Sequence, residues 1–312
     1  MAPLYGRALL EWPLMLAVLT IFGTGAFALF FAPSSDSHGE AVVSVLSPLW
    51  RVLAGVSLLI APFVILDIAA EMAAVSWREA IPMLPKVMID THVGRVWVSF
   101  MSTTVLLVVN AFFLQRHSFR TVGVLTLPTL LLFFIALASH ATDKGSMAVA
   151  VYFVHEIAVG LWIGALLGLW MVARSGQVSE HWVKEAARRV SKIAAGCVLA
   201  VVLTGVYTTY EVLGMNVSLL LFSVYGRILS VKIILFGCVL ALGAYNRYRL
   251  VPEVRVPRSR SALLRNVGIE SLILLVGVLA LAALLANTPP AHNHTRHSAW
   301  ASARLALSPQ RP

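Results

Sequence analysis

The chain alternates long apolar stretches with short polar breaks, and eight of the stretches approach or exceed the roughly 20 residues that a helix needs to cross a bilayer core. They lie near Trp12 to Phe31, Leu49 to Ala70, His92 to Leu114, Val122 to Ser139, Met147 to Ala173, Val190 to Glu211, Tyr225 to Tyr248 and Leu263 to Ala286. None has the strict alternation of a barrel strand, so the expected fold is an all-α, polytopic transmembrane helical bundle of about eight helices. The longer stretches would tilt or extend past the lipid. The first is longer than a signal-peptide core, and Pro33 follows its one small-residue cleavage position, Ala32, so a retained first helix is expected.

Composition agrees with that pattern. Of 312 residues, 59% are hydrophobic and 12% charged, against about 25% charged in soluble domains. A single membrane domain over residues 1–290 is expected, followed by a disordered tail, 291–312, rich in Pro, Ser, Ala and His. The net charge of +10 is unevenly spread. Arg174, Lys184, Arg188, Arg189 and Lys192 separate the fifth and sixth stretches, and Arg247, Arg249, Arg255, Arg258, Arg260 and Arg265 separate the seventh and eighth. Such segments stay in the cytoplasm, which puts both termini outside. Pro33 to Pro48 would then be a cytoplasmic loop although it holds no Lys or Arg. No basic stripe interleaves with aromatics, so lipid and not nucleic acid is the expected surrounding. Cys197 and Cys238 fall mid-helix and form no exported disulfide framework; they read as small packing residues, with metal ligation left open.

Chemistry enters where ionisable groups interrupt apolar runs. Ser139-His140-Ala141-Thr142-Asp143 ends the fourth stretch, and Val154-His155-Glu156 lies roughly two turns into the fifth. Such groups are rare in hydrocarbon and point to movement of a metal, a proton or an electron. Gly160, Gly164 and Gly168 recur every four residues, a smooth face that admits a close neighbour and would aim His155. Glu156, Glu211 and Glu270 have Arg227 and Lys232 as candidate partners, because a lone buried charge is strongly penalised. Glu156, Tyr207, Glu211 and Lys232 read either as a polar track, with Tyr210 beside it, or as structural ion pairs. Trp162 reads as a packing aromatic.

Several motifs carry a resemblance. Ser139-His140-Ala141, Val154-His155 and Leu161-Trp162-Ile163-Gly164-Ala165-Leu166 are followed by Leu203-Thr204-Gly205-Val206-Tyr207 and Tyr225-Gly226-Arg227-Ile228-Leu229 with Lys232. Asn246-Arg247, Leu264-Arg265-Asn266 with Glu270, and Thr288-Pro289-Pro290 come next, with a weaker echo at Asp90-Thr91-His92-Val93-Gly94-Arg95-Val96-Trp97. Over residues 90–290 the chain resembles the membrane domain of the CopD family of copper resistance and copper uptake proteins. The resemblance implies eight helices with both ends outside, in a bacterial inner membrane. It also implies copper movement from periplasm to cytoplasm, often with a periplasmic CopC-type carrier. No CopC-like domain is fused here, so that carrier would be a separate protein.

Copper as Cu(I) takes thioether, thiolate and imidazole, and as Cu(II) imidazole with oxygen or nitrogen. The candidate metal residues are therefore His92, His140 and His155, which share the outer half, with Met72, Met88 and Met147. Met83, Met215 and the deeper Met101 complete an outer bias among nine methionines. His38, His117 and His181 fall in loops assigned to the cytoplasm. In the tail, His292, His294 and His297 form either a metal-gathering tract or a linker with incidental histidines. The competing reading is a b-type cytochrome or other electron carrier with haem on His140 and His155 or His92; a copper-binding sensor or assembly factor also stays open. No nucleophile elbow or zinc-protease spacing is present, so an enzyme is not expected.

Overall fold

The computed structural model describes residues 2–32, 36–114, 117–213, 217–253 and 257–288, and all regular structure among them is helical. Helix α1 (Ala2–Ala26) continues as a π-helical turn, Phe27–Phe31, and α2 is Asp36–Ala73. A polar excursion follows, made of α3 (Trp77–Ala80), a 3-10 turn (Ile81–Met83) and α4 (Leu84–Asp90). Then come α5 (His92–Phe113), α6 (His117–Ala138), α7 (Ser146–Arg174) and α8 (Glu180–Leu213). The short α9 (Val217–Phe222) leads to α10 (Val224–Tyr245) with a π-helical extension, Asn246–Leu250. The last rod joins α11 (Pro257–Leu272), a π-helical stretch (Ile273–Val278) and α12 (Leu279–Ala286). Eight rods are long and apolar enough to cross a membrane: α1, α2, α5, α6, α7, α8, α10 and the joined α11–α12.

The helices overrun the apolar stretches. Residues from Asp36 onward are already helical, so Asp36 to Pro48 of the expected loop belongs to α2. Pro48 sits inside α2, as prolines do in membrane helices whose neighbours re-satisfy the freed backbone. Likewise, much of the basic segment before Val190 is the amphipathic start of α8. Trp182, Val183, Ala186 and Ala187 are buried there while His181 and Arg188 are exposed. His38 and His181 are thus helical and not in loops, and the His38 ring stacks on Trp182 at 6.3 Å. Hydropathy falls where charges begin, whereas an amphipathic helix continues past the lipid.

Helices α1 and α7 form the centre. In their most apolar windows 78% and 67% of residues are buried, against 17% for α8 and 11% for α10. The α1–α7 contact is built on the predicted glycine face. The Phe22 ring covers Gly160, the backbone of Gly23 lies directly on Gly164, and the Phe27 ring covers Gly168. A methyl on Gly164 would fall inside that backbone, so only glycine allows this approach. Helix α8 packs on α7 and α10 packs on the α11–α12 rod, rather than on each other. Across the bundle the Trp12 indole donates to the Leu275 carbonyl, in the π-helical stretch, at 3.0 Å. A π turn frees carbonyls from the regular ladder.

Both ends of the described chain meet at one face, as an even number of crossings requires. There Asn287 donates to the Glu11 carboxylate at 2.7 Å, and Arg7 pairs with Glu71 at 2.6 Å and Asp67 at 3.3 Å. At this terminal end the excursion after α2 is tied down by Trp77, which donates to Asp67 at 2.9 Å, and by a Ser76–Glu79 capping box. The Ser76 hydrogen bonds hold the Glu79 carboxyl below its usual range. Helices α5 and α10 start alike: Thr91 accepts from Gly94 N–H and Ser223 from Gly226 N–H, each at 2.9 Å. Both glycines let a preceding short helix fold back on them, through Val87 of α4 in one case and through Leu219 and Leu220 of α9 in the other. The opposite end of the bundle is the basic one, closed by Arg260 on Glu180 at 2.7 Å and by Arg247 donating to the Ser191 carbonyl at 2.7 Å.

Candidate functional site

The site begins with the register of α7 against α8. Gly145, with φ of 101°, turns the chain into α7, a conformation that favours glycine. Just before it, Lys144 donates to the Glu211 carbonyl at 2.8 Å and approaches its carboxylate at 3.7 Å. That contact ties the start of α7 to the end of α8. Running antiparallel from it, the two helices bring His155 against Thr204, with Nδ1 and Oγ1 2.8 Å apart.

The Thr204 hydroxyl fixes the imidazole. Its one proton goes to the Ala200 carbonyl at 2.6 Å, so towards His155 it can only accept. With the hydroxyl proton on Ala200, the Nδ1–H tautomer of His155 completes the contact and leaves a lone pair on Nε2. Metal-binding histidines are oriented in this way, by a hydrogen bond on the other ring nitrogen. The next residue, Glu156, is 5% exposed, and its Oε2 is buried with no hydrogen-bond partner. Lys232, from α10, lies within electrostatic reach of both His155 and Glu156, and Tyr152 lies beside Glu156 one turn earlier. The layer combines an imidazole, a carboxyl group and an amine. It lies roughly 14 Å inside the terminal end of α7, at about 1.5 Å per residue.

A second polar layer follows. Trp162, seven residues beyond His155, is buried, meets Phe236 edge-on at 5.7 Å and hydrogen-bonds the Glu270 carboxylate. Asn246 donates to the same carboxylate at 3.2 Å, and Asn266 donates to Asn246 at 3.0 Å. Trp162 is thus a donor as well as a packing aromatic, and Glu270 is held by neutral donors rather than by Arg227 or Lys232. Glu211 also differs from expectation, since its partner is Lys144. Glu156 and Lys232 lie within electrostatic reach of each other but make no ion pair. Cys197, Thr204 and Glu211 lie seven residues apart along α8, hence on nearly one face. Cys197 is buried one heptad below Thr204, at the level of Trp162.

The remaining candidates stand at the rim. His140 is 89% exposed by its side chain, just past α6, with Nδ1 3.8 Å from Asp143. His92 is exposed in the first turn of α5. Met72 and Met147 are exposed at the terminal end, Met88 packs half-buried in α4, Tyr207 is half-buried and Tyr210 exposed. Among the described residues no three His, Cys, Asp or Glu side chains gather into a metal cage. Met215, His292, His294 and His297 lie outside the described residues. Sequence reasoning assigned no role to Thr204, Lys144 or Asn246. The heptad spacing of polar positions along α8 was the available signal for the first.

Comparison with known proteins now gives these features a family. Residues 1–149 match the N-terminal domain model of copper resistance protein D-like proteins, and residues 184–285 match the copper resistance protein D model. A copper resistance protein D of Pseudomonas syringae pv. tomato is 29% identical over 261 residues, 78% of this chain and 84% of the relative. The inner membrane protein YebZ of Escherichia coli (strain K12) is 25% identical over 210 residues, 65% of this chain and 71% of the relative. No solved structure matches. With two models spanning most of its length and eight apolar crossings, the chain belongs to the copper resistance protein D family, as a multi-pass protein of the inner membrane.

Proposed function

We propose that the protein carries copper from the outer side of the membrane to the cytoplasm through the layer at His155. The observation that carries the reading is the 2.8 Å contact of His155 Nδ1 with Thr204, which in the Nδ1–H tautomer presents the Nε2 lone pair next to Glu156, whose buried Oε2 has no hydrogen-bond partner. Copper is the cargo. Met72, Met88, Met147, His92 and His140 sit at the terminal rim, where spaced soft and imidazole donors serve capture rather than a closed cage. From there the Lys144–Glu211 contact stands above His155, with Glu156 and Lys232 supplying compensating charge within. The Trp162–Glu270 layer continues the path. A separate periplasmic CopC-like carrier would deliver copper to this rim, and His292, His294 and His297 would raise its local concentration.

Direction depends on orientation. The Lys and Arg of the α7–α8 and α10–α11 connections put the basic end in the cytoplasm. Reporters fused near Gly176 or Glu253 should behave as cytoplasmic and a reporter after Thr288 as periplasmic. A Thr288 fusion active only as a cytoplasmic reporter would reverse the proposed direction. The function itself is tested by metal analysis and absorbance spectra of the purified protein, with copper accumulation in cells that depend on it. Copper binding without a haem Soret band, and copper-dependent accumulation, are expected. Stoichiometric haem would replace the transport reading with electron transfer.

A further inference from the structure

At the basic end, α7 and α11 leave an open groove of about 830 Å³ between them, with Glu180 at its edge. Its charged rim carries Arg174, Arg260 and Arg265. Arg260 is neutralised by Glu180 at 2.7 Å. Arg174 lies over the Trp170 ring at 5.2 Å, an arrangement that stacks the guanidinium and leaves its edge donors free. Neither Arg174 nor Arg265 has a carboxylate partner among the described residues, so the groove holds two unbalanced cations. Below Arg265 on the same helix face stand Ile269 and Leu272, four and seven residues on, at 44% and 61% exposure. The face thus passes from guanidinium to oil over roughly 10 Å.

A soluble anion or an acidic peptide would match the upper half of this groove and leave the lower half unexplained. An amphiphile matches both. The change from charge to hydrocarbon along a crossing helix marks the headgroup level, where arginine pockets between helices hold anionic lipid. We propose that this groove binds an anionic glycerophospholipid of the surrounding leaflet, its phosphodiester on Arg174 and Arg265 and an acyl chain along Ile269 and Leu272. The bound lipid would brace α11, which carries Glu270, against α7.

The test is native mass spectrometry of the full chain, delipidated in detergent and titrated with phosphatidylglycerol or with phosphatidylcholine of the same acyl chains. A discrete phosphatidylglycerol adduct is expected, without an equivalent phosphatidylcholine one. Arg174→Gln with Arg265→Gln should weaken it roughly thirtyfold, at about 1 kcal/mol per arginine. Arg174→Lys with Arg265→Lys should keep most of it, which separates charge from folding damage. Ile269→Ser with Leu272→Ser should weaken it with the arginines intact, and Arg188→Gln, on exposed α8 surface, should not. Equal retention of the two lipids, or an unchanged adduct in the glutamine pair, would overturn the proposal. So would displacement of the lipid by inorganic phosphate or by a polyglutamate peptide alone, since either would leave an anion site with no lipid half.

Discussion

Gly164→Val should prevent the bundle from assembling stably, while Gly237→Val should pass almost unnoticed. Gly164 lies against the backbone of Gly23, and backbone cannot swing aside to admit a side chain. Overpacking ordinarily costs about 1–3 kcal/mol when side chains can adjust. Here the relief must come from separating α1 and α7, the two most buried helices, so the upper end or more is expected. Gly160→Val should be milder, because its methyls meet the movable Phe22 ring. Gly237 has nothing within reach of an added Cβ and serves as the control. The measurement is the heat-aggregation midpoint of the detergent-solubilised protein, with a fall of roughly 10 °C or more expected for Gly164→Val. Equal midpoints for Gly164→Val and the parent would mean that α1 does not pack on this face.

This contrast also shows what the sequence made legible. Glycines every four residues announce a close helix contact, because the period of the helix puts them on one face. They do not say which helix arrives, and α1 is recognised as the partner only from the fold. Membrane spans were readable because burying backbone in lipid requires helices of a minimum apolar length. Their ends were not, because α2 and α8 continue amphipathically beyond the hydrocarbon, where mean hydropathy no longer rises. That is why His38 and His181, expected in loops, are helical.

The same division holds within the candidate site. His155 and Glu156 stood out as ionisable residues inside an apolar run, a signal that needs no partner to be seen. Thr204 did not, since a threonine in a membrane helix usually returns its proton to the preceding turn, as this one does to Ala200. Its second function, accepting from His155, depends on how α7 and α8 are registered, and a contact between Lys144 and Glu211 sets that. Charge complementarity alone could not choose Lys144 over Arg227 or Lys232 as the partner of Glu211. Neutral donors were still less visible, so Glu270 seemed to need a cation when Trp162 and Asn246 already hold it.

His155→Ala should insert and fold normally yet abolish copper-dependent accumulation, whereas His181→Ala, on exposed helix surface, should leave accumulation intact. The alanine removes the Nε2 lone pair that Thr204 presents. A histidine needed only for packing would instead show its loss as instability at unchanged specific activity. Thr204 makes the prediction sharper. Thr204→Val keeps the shape but removes the acceptor, freeing the ring to change tautomer and rotate, and loss of such an orienting partner weakens metal affinity roughly 10- to 100-fold. Thr204→Ser restores the hydroxyl and should restore most of that affinity, which volume alone would not explain. His155→Met then reports on oxidation state, since a thioether holds Cu(I) but serves Cu(II) poorly. Transport kept by methionine and lost by alanine would assign reduced copper to this layer. Full accumulation by His155→Ala at equal membrane abundance would take His155 out of the pathway, and the role of Thr204 with it.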